Sequence, residues 1–382
     1  GFTAGGASLL TGGVLSLFAN PRDAYAALSP DLDDLVGALP GCTLSGGGGN
    51  NLPFICFDLA GGANFAGSNV LVGDSGGQED FLSTAGYSKL GLPGDMLPGQ
   101  VQTETLLNPS ANNDYINREL NLAFHADSPL LLGIREKAGS AIGNVDGAVI
   151  PARSDNDTGN NPHNPLYALV MTDPSVRGEV VDLIGSRSSI SGGNSMAPAM
   201  YINPEFQPTK VDQPTDVTGM VDVGDLTAIL GPNDVTAVME SMARVSHYKM
   251  KAGVTTGLSN DAIIKDMVRC GYLKAADIAS EFAGVPVDPL GDPLINRDVT
   301  APIAGNPLAP FSANELANDR EFRKTASVMK MVVNRYAIGG CVTMGGYDYH
   351  TGDRIAGENR DLRAGRCIGA CLQYAALKGE PL

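Results

Sequence analysis

Apolar residues recur along this chain in two rhythms. Residues 53–59 form a nearly continuous apolar run broken by Asp58 and opening into Gly61-Gly62. Such a run predicts a strand buried on both faces, as in parallel sheets. Residues 148–150 and 166–171 predict two more short strands, and 337–344 another that ends in Gly345-Gly346. Helical spacing governs most of the second half. Over 233–250, Val235, Val238, Met242 and Val245 fall on one face, with Asn233 as N-cap after Pro232. Over 313–337, Phe322, Ala326, Met329, Val333 and Tyr336 keep the same rhythm, and Arg320, Lys324, Lys330 and Asn334 fall on other faces. The methionines of these helices read as packing. A last helix is predicted over 355–377, with Leu362, Cys367 or Ile368, Cys371 and Ala375 inward. Strands alternating with helices predict an α/β fold, a mostly parallel central sheet sandwiched by helices.

Composition narrows the classes of function. The chain has 382 residues, of which 48 are Gly and 24 Pro, so turns and long loops are many. With 43% hydrophobic and 18% charged residues it can build a sizeable core, and one large α/β domain over 27–382 accounts for the length. A formal charge of −16 repels phosphate backbones and anionic membrane surfaces, and no basic run offsets it locally; nucleic acid is excluded as a partner. The absence of Trp disfavours a stacking platform for sugars or bases.

Residues 2–19 are apolar, uncharged and Gly-rich, and Ala24 and Ala26 follow with the small-x-small pattern of a cleavage site. Residues 1–26 are therefore read as the remnant of an export signal, weakly hydrophobic in the manner of a twin-arginine signal, with its basic region upstream of Gly1. The expected location is periplasmic or extracellular, with no membrane span in the mature chain. There the six cysteines could pair, in more ways than sequence can choose among. A Cys42–Cys56 link is one option; otherwise most are read as small buried hydrophobes.

No Gly-Lys-Ser/Thr loop and no G-x-G-x-x-G occurs, so no nucleotide is expected, and the G-x-S-x-G elbow is missing as well. The 153–165 loop carries Asp155, Asp157, Asn160, Asn161 and His163, but its spacing is not that of an EF-hand, and it reads as a polar surface loop. Asp348 and His350 stand two apart after the 337–344 strand and can converge on one point. They could hold a divalent metal (Zn or Mn, or else Ca or Mg), with Asp58 as third ligand if the two strands are neighbours. The alternative is a plain Asp–His hydrogen bond at the surface.

Three segments add a likeness. GGANFAGSN at 61–69, FHADSPL at 124–130 and GGYDYH at 345–350 occur in an order that resembles the exported domain-of-unknown-function family 1501, grouped with the alkaline phosphatase and sulfatase clan. The resemblance spans about 50–378. It implies an alkaline-phosphatase-like fold, incomplete here at the C-terminus, and a metal-dependent hydrolase acting on a small anionic phosphate or sulfate ester. By it, Asp58 takes the place of the first-strand metal aspartate, and Asp348 and His350 match the Asp-x-His. Asn64, Ser68 and Asn69 fall in the turn that would carry a nucleophile, and His125 matches the single His. The chain departs from the pattern at Ala60 and Tyr349, and it lacks the clan's later Asp-His pair. It therefore reads as cut short at both ends or as a degenerate member, and a non-catalytic exported binding or secretion-associated protein is the competing expectation.

Overall fold

The computed structural model describes residues 28–39, 42, 52–61, 63, 65, 69–90, 92, 97–103, 105–149, 178–186, 208–221, 229–253, 255, 257, 259–282, 285–347 and 352–382. The predicted signal at 1–26, the 153–165 loop and the predicted strand at 166–171 lie outside these residues. So do Asn64, Ser68, Asp348 and His350.

The fold is α/β. Four parallel strands, β1 (Phe54–Ala60), β4 (Val181–Gly185), β5 (Thr209–Lys210) and β6 (Ala337–Gly345), form one sheet in the order β1-β6-β4-β5. A separate antiparallel pair joins β2 (Ile116–Asn117) to β3 (Phe124–His125). The predicted strand at 148–150 is not formed at its described residues: Ala148 and Val149 are irregular chain. β6 is central and buried over Ala337–Met344, as its apolar run predicted. β1 is not the fully buried strand expected from its sequence. Among the described strands it lies at the end of the sheet, and all seven of its residues are half-buried.

Helix α8 (Arg320–Val333) lies across one face of the sheet, close enough that a Cβ on Gly340 would stand 2.6 Å from Val328 Cγ1. The helix predicted over 313–337 is in fact two. A short α7 (Ala313–Asn318) ends at Asp319, whose extended backbone (φ −114°, ψ 116°) breaks the path. The Asp319 carboxylate then accepts the Glu321 N–H at 2.8 Å and starts α8. Phe322, Ala326, Met329, Val333 and Tyr336 are buried as the spacing required, but Lys324, Lys330 and Asn334 are buried too. Each has a partner. Lys330 Nζ reaches Asp292 Oδ2 at 2.7 Å, Lys324 Nζ donates to Glu321 and to the Thr343 carbonyl, and Asn334 donates to the Tyr374 hydroxyl. Burial alone would raise the Asp292 carboxyl, but the Lys330 ammonium beside it outweighs that and holds it below the usual carboxylate range.

Helix α9 (Arg354–Lys378) covers α8 and crosses α3 (Pro129–Ala138) at very short range. Gly133, Gly365 and Gly369 make that approach possible: a Cβ on Gly365 would sit 2.1 Å from the Leu130 carbonyl oxygen, and one on Gly369 2.4 Å from that of Ile134.

A helical subassembly forms a second core. It comprises α1 (Pro30–Gly37), α5 (Pro232–Ala252) and α6 (Asp261–Phe282), closed by a disulfide between Cys42 and Cys270. The Cys42–Cys56 pairing considered from sequence is thereby replaced, and Cys56, Cys341, Cys367 and Cys371 are thiols. α5 begins at Pro232, with Gly231 as its N-cap residue in place of Asn233. Its inward face is Val235, Met239, Ala243 and Ser246, whereas Met242 and Val245 are exposed. Tertiary partners turn the helix this way. Glu240 accepts both the backbone N–H and the hydroxyl of Ser29, and Arg244 pairs with Asp31, so these polar groups face α1. Among the described residues no helix is long and apolar enough to cross a membrane.

Candidate functional site

In an open parallel sheet, ligand chemistry collects where strands end. β1 and β6 run in register, Asp58 opposite Thr343 and Ala60 opposite Gly345. The Tyr347 N–H donates to the Ala60 carbonyl at 3.1 Å, so the pairing continues past the strand ends. Each chain then leaves through a glycine with positive φ, Gly61 at 121° and Gly346 at 88°, which L side chains rarely adopt. Buried Tyr347 anchors this exit on α9, its hydroxyl donating to the Arg360 carbonyl at 2.7 Å.

Asp58 lies within β1, two residues before its end. Ile55, Phe57 and Leu59 pack into the main core, so Cys56 and Asp58 occupy the opposite face by alternation. Cys341 and Thr343 are their register partners on β6. The Thr343 N–H donates to the Ser186 hydroxyl at 2.7 Å, which ties the exit of β4 to the same place. The hydrogen bond from Cys56 pushes the buried Cys341 thiol well above its ordinary value, and burial and the Asp58 charge act in the same direction.

A polar cluster stands behind this edge. Asn69 Nδ2 donates to Asp361 Oδ2 at 2.9 Å, and Asn69 Oδ1 accepts from the Ser128 hydroxyl at 2.7 Å and the Leu130 N–H at 3.3 Å. The His125 N–H donates to the Asn69 carbonyl at 2.9 Å. The His125 side chain is only 2% exposed; its Nδ1 accepts the Asp127 N–H at 3.2 Å, which leaves the ring proton on Nε2. Ser128 also caps α3, accepting the Leu131 N–H at 3.1 Å ahead of Pro129.

The three segments of the family likeness therefore converge. Asn69 of the first touches His125 and Ser128 of the second, and Ala60, just before the first, is bonded to Tyr347 of the third. Of the predicted site residues, Asp58 and His125 are described, and they stand in different places: Asp58 on the sheet, His125 in the buried cluster. Asn64, Ser68, Asp348 and His350 lie outside the described residues. Among the described residues no group of three or more His, Cys, Asp and Glu is placed to hold a metal ion. Sequence reasoning overlooked Asp361, Thr343 and Ser186. Ser128-Pro129 carried a signal, an N-cap serine before a helix-starting proline, whereas nothing local marks Asp361 as the partner of Asn69.

No family model, no curated protein and no solved structure matches this chain.

Proposed function

We propose that the chain is an exported protein of alkaline-phosphatase-like architecture that hydrolyses small phosphate or sulfate esters with the help of a divalent metal. One observation supports this reading: the bond from Tyr347 to Ala60, which holds β6 at Tyr347 beside the end of the strand that carries Asp58. In this reading Asp58, Asp348 and His350 are the ligands of one ion of Zn, Mn, Ca or Mg. Bound there, the metal would polarise an ester oxygen and offset the repulsion that a chain of net charge −16 exerts on an anionic substrate. Ser68 supplies the attacking hydroxyl and Asn64 a polar contact to substrate. His125, buried with Nδ1 engaged, positions the loop that carries Asn69.

The test is elemental analysis of the purified full chain beside Asp58→Asn and Asp348→Ala, with hydrolysis of nitrophenyl phosphate and sulfate measured on each. Stoichiometric metal in the wild type, lost with activity in both variants, is the expected result. Equal metal in all three proteins, or none in any, ends the reading.

A second reading, a non-catalytic exported binding or secretion-associated protein, is favoured by one arrangement. Asn69, Ser128 and Asp361 hydrogen-bond to one another inside the protein, as groups that brace loops do. A folded, metal-free and inactive wild type supports it.

A further inference from the structure

Cys56 and Cys341 are Cα partners on adjacent parallel strands, so their side chains leave the sheet on the same face. Neighbouring strands lie about 4.7–4.9 Å apart, inside the roughly 4.4–6.8 Å between Cα atoms that a disulfide spans. Cys56 is half-buried, so a small reagent can reach it, whereas Cys341 is fully enclosed. The other two thiols, Cys367 and Cys371, are buried one turn apart on α9, where Cβ atoms stand about 5–6 Å from each other, too far for a disulfide.

We propose that Cys56 and Cys341 form a reversible dithiol–disulfide couple across β1 and β6, oxidised by exchange with a small-molecule disulfide. The Cys56 thiolate attacks one sulfur of that disulfide, joins it and releases one thiolate. The Cys341 sulfur, after losing its proton, then attacks Cys56, closes the cross-strand bond and releases the second thiolate. The protein gives up two hydrogens in all, and the small disulfide takes them up as two thiols. The clamp falls two residues from Asp58 and Thr343 on the same face, so its state fixes how far β1 can part from β6 beside the carboxylate.

The experiment incubates the folded full chain, isolated with reduced glutathione, with and without excess glutathione disulfide, quenches it in acid, counts alkylatable thiols after denaturation, and maps linked peptides by mass spectrometry. The count should fall from four to two, with Cys56 linked to Cys341, Cys42 still linked to Cys270, and reversal by reduced glutathione. Cys341→Ser should instead keep glutathione on Cys56, and Cys56→Ser should lose the response altogether. Should Cys341→Ser fail to fold, Cys56→Ser, altered at the half-buried partner, decides the question without it. Four persisting thiols in folded wild type, glutathione retained on Cys56 with Cys341 unlinked, or the same fall in Cys56→Ser would overturn the proposal. Hydrolase activity does not enter this readout, so it stands apart from the functional reading.

Discussion

Asn69 and Asp361, on opposite sides of the chain's long middle, are joined inside the protein by a 2.9 Å hydrogen bond between their side chains. Both are buried, and Asn69 also receives Ser128 and Leu130. Truncating Asn69 removes at once one hydrogen bond each from the Asp361 carboxylate, the Ser128 hydroxyl and the Leu130 N–H. Asn69→Ala should lower unfolding stability by about 3 kcal/mol. Urea unfolding checks this through a lower midpoint at unchanged slope; a midpoint equal to wild type would mean that the cluster contributes nothing.

Two helical glycines make an opposite pair of predictions. Gly365→Ala drives a methyl group into the Leu130 carbonyl and should cost about 1–3 kcal/mol by overpacking. Gly219, in helix α4 (Pro214–Val221), has nothing within 4 Å of a built Cβ, so Gly219→Ala should add about 0.4–1 kcal/mol. Thermal melts of the two variants should move in opposite directions.

The disulfide from Cys42 to Cys270 closes a long stretch of chain and seals the core of α1, α5 and α6. Without it the unfolded chain regains freedom, and Cys270→Ser should lose about 2–5 kcal/mol. Denaturant titration of variant and wild type under the same redox conditions measures the difference; equal midpoints would show that packing alone holds the subassembly.

Lys378, near the end of α9, has its ammonium pushed down to about 8 from an ordinary 10.5, by burial first and by the Lys330 charge second, against the pull of Asp292 and Glu380. Between those two values the unfolded chain binds more protons than the folded one. Stability should therefore rise with pH from about 8 toward 10.5 and be insensitive to this group below that window. In Lys378→Met the rise should vanish, which chemical denaturation across an alkaline pH series would reveal.

Sequence periodicity located β1, β6 and α9 to within a residue, because each carries an apolar pattern that local spacing alone explains; the 22-residue α6 was not foreseen. It failed where a partner remote in sequence makes the choice. α5 offers Val238, Met242 and Val245 as an apolar stripe, yet Glu240 and Arg244 are claimed by Ser29 and Asp31, and the helix turns a different face inward. Lys324 and Lys330 read as solvent-facing because charge is costly to bury; a carboxylate waits for each of them. β5 is two residues long and leaves no rhythm to detect. Three motifs in a row were legible, but the contacts among them, from Ser128 and His125 to Asn69 and from Tyr347 to Ala60 just before the first, are properties of the folded chain.

The strand order has a consequence for biogenesis. β6, the last of the described strands to be made, takes the slot between β1, the first, and β4, so the sheet cannot close while the ribosome still holds that later portion. Until β6 emerges, the side of β1 that it will cover offers unsatisfied backbone to any passing strand, a period of vulnerability to misassembly in which a holding chaperone would be of most use. Such non-local pairing also favours slow maturation over rapid folding.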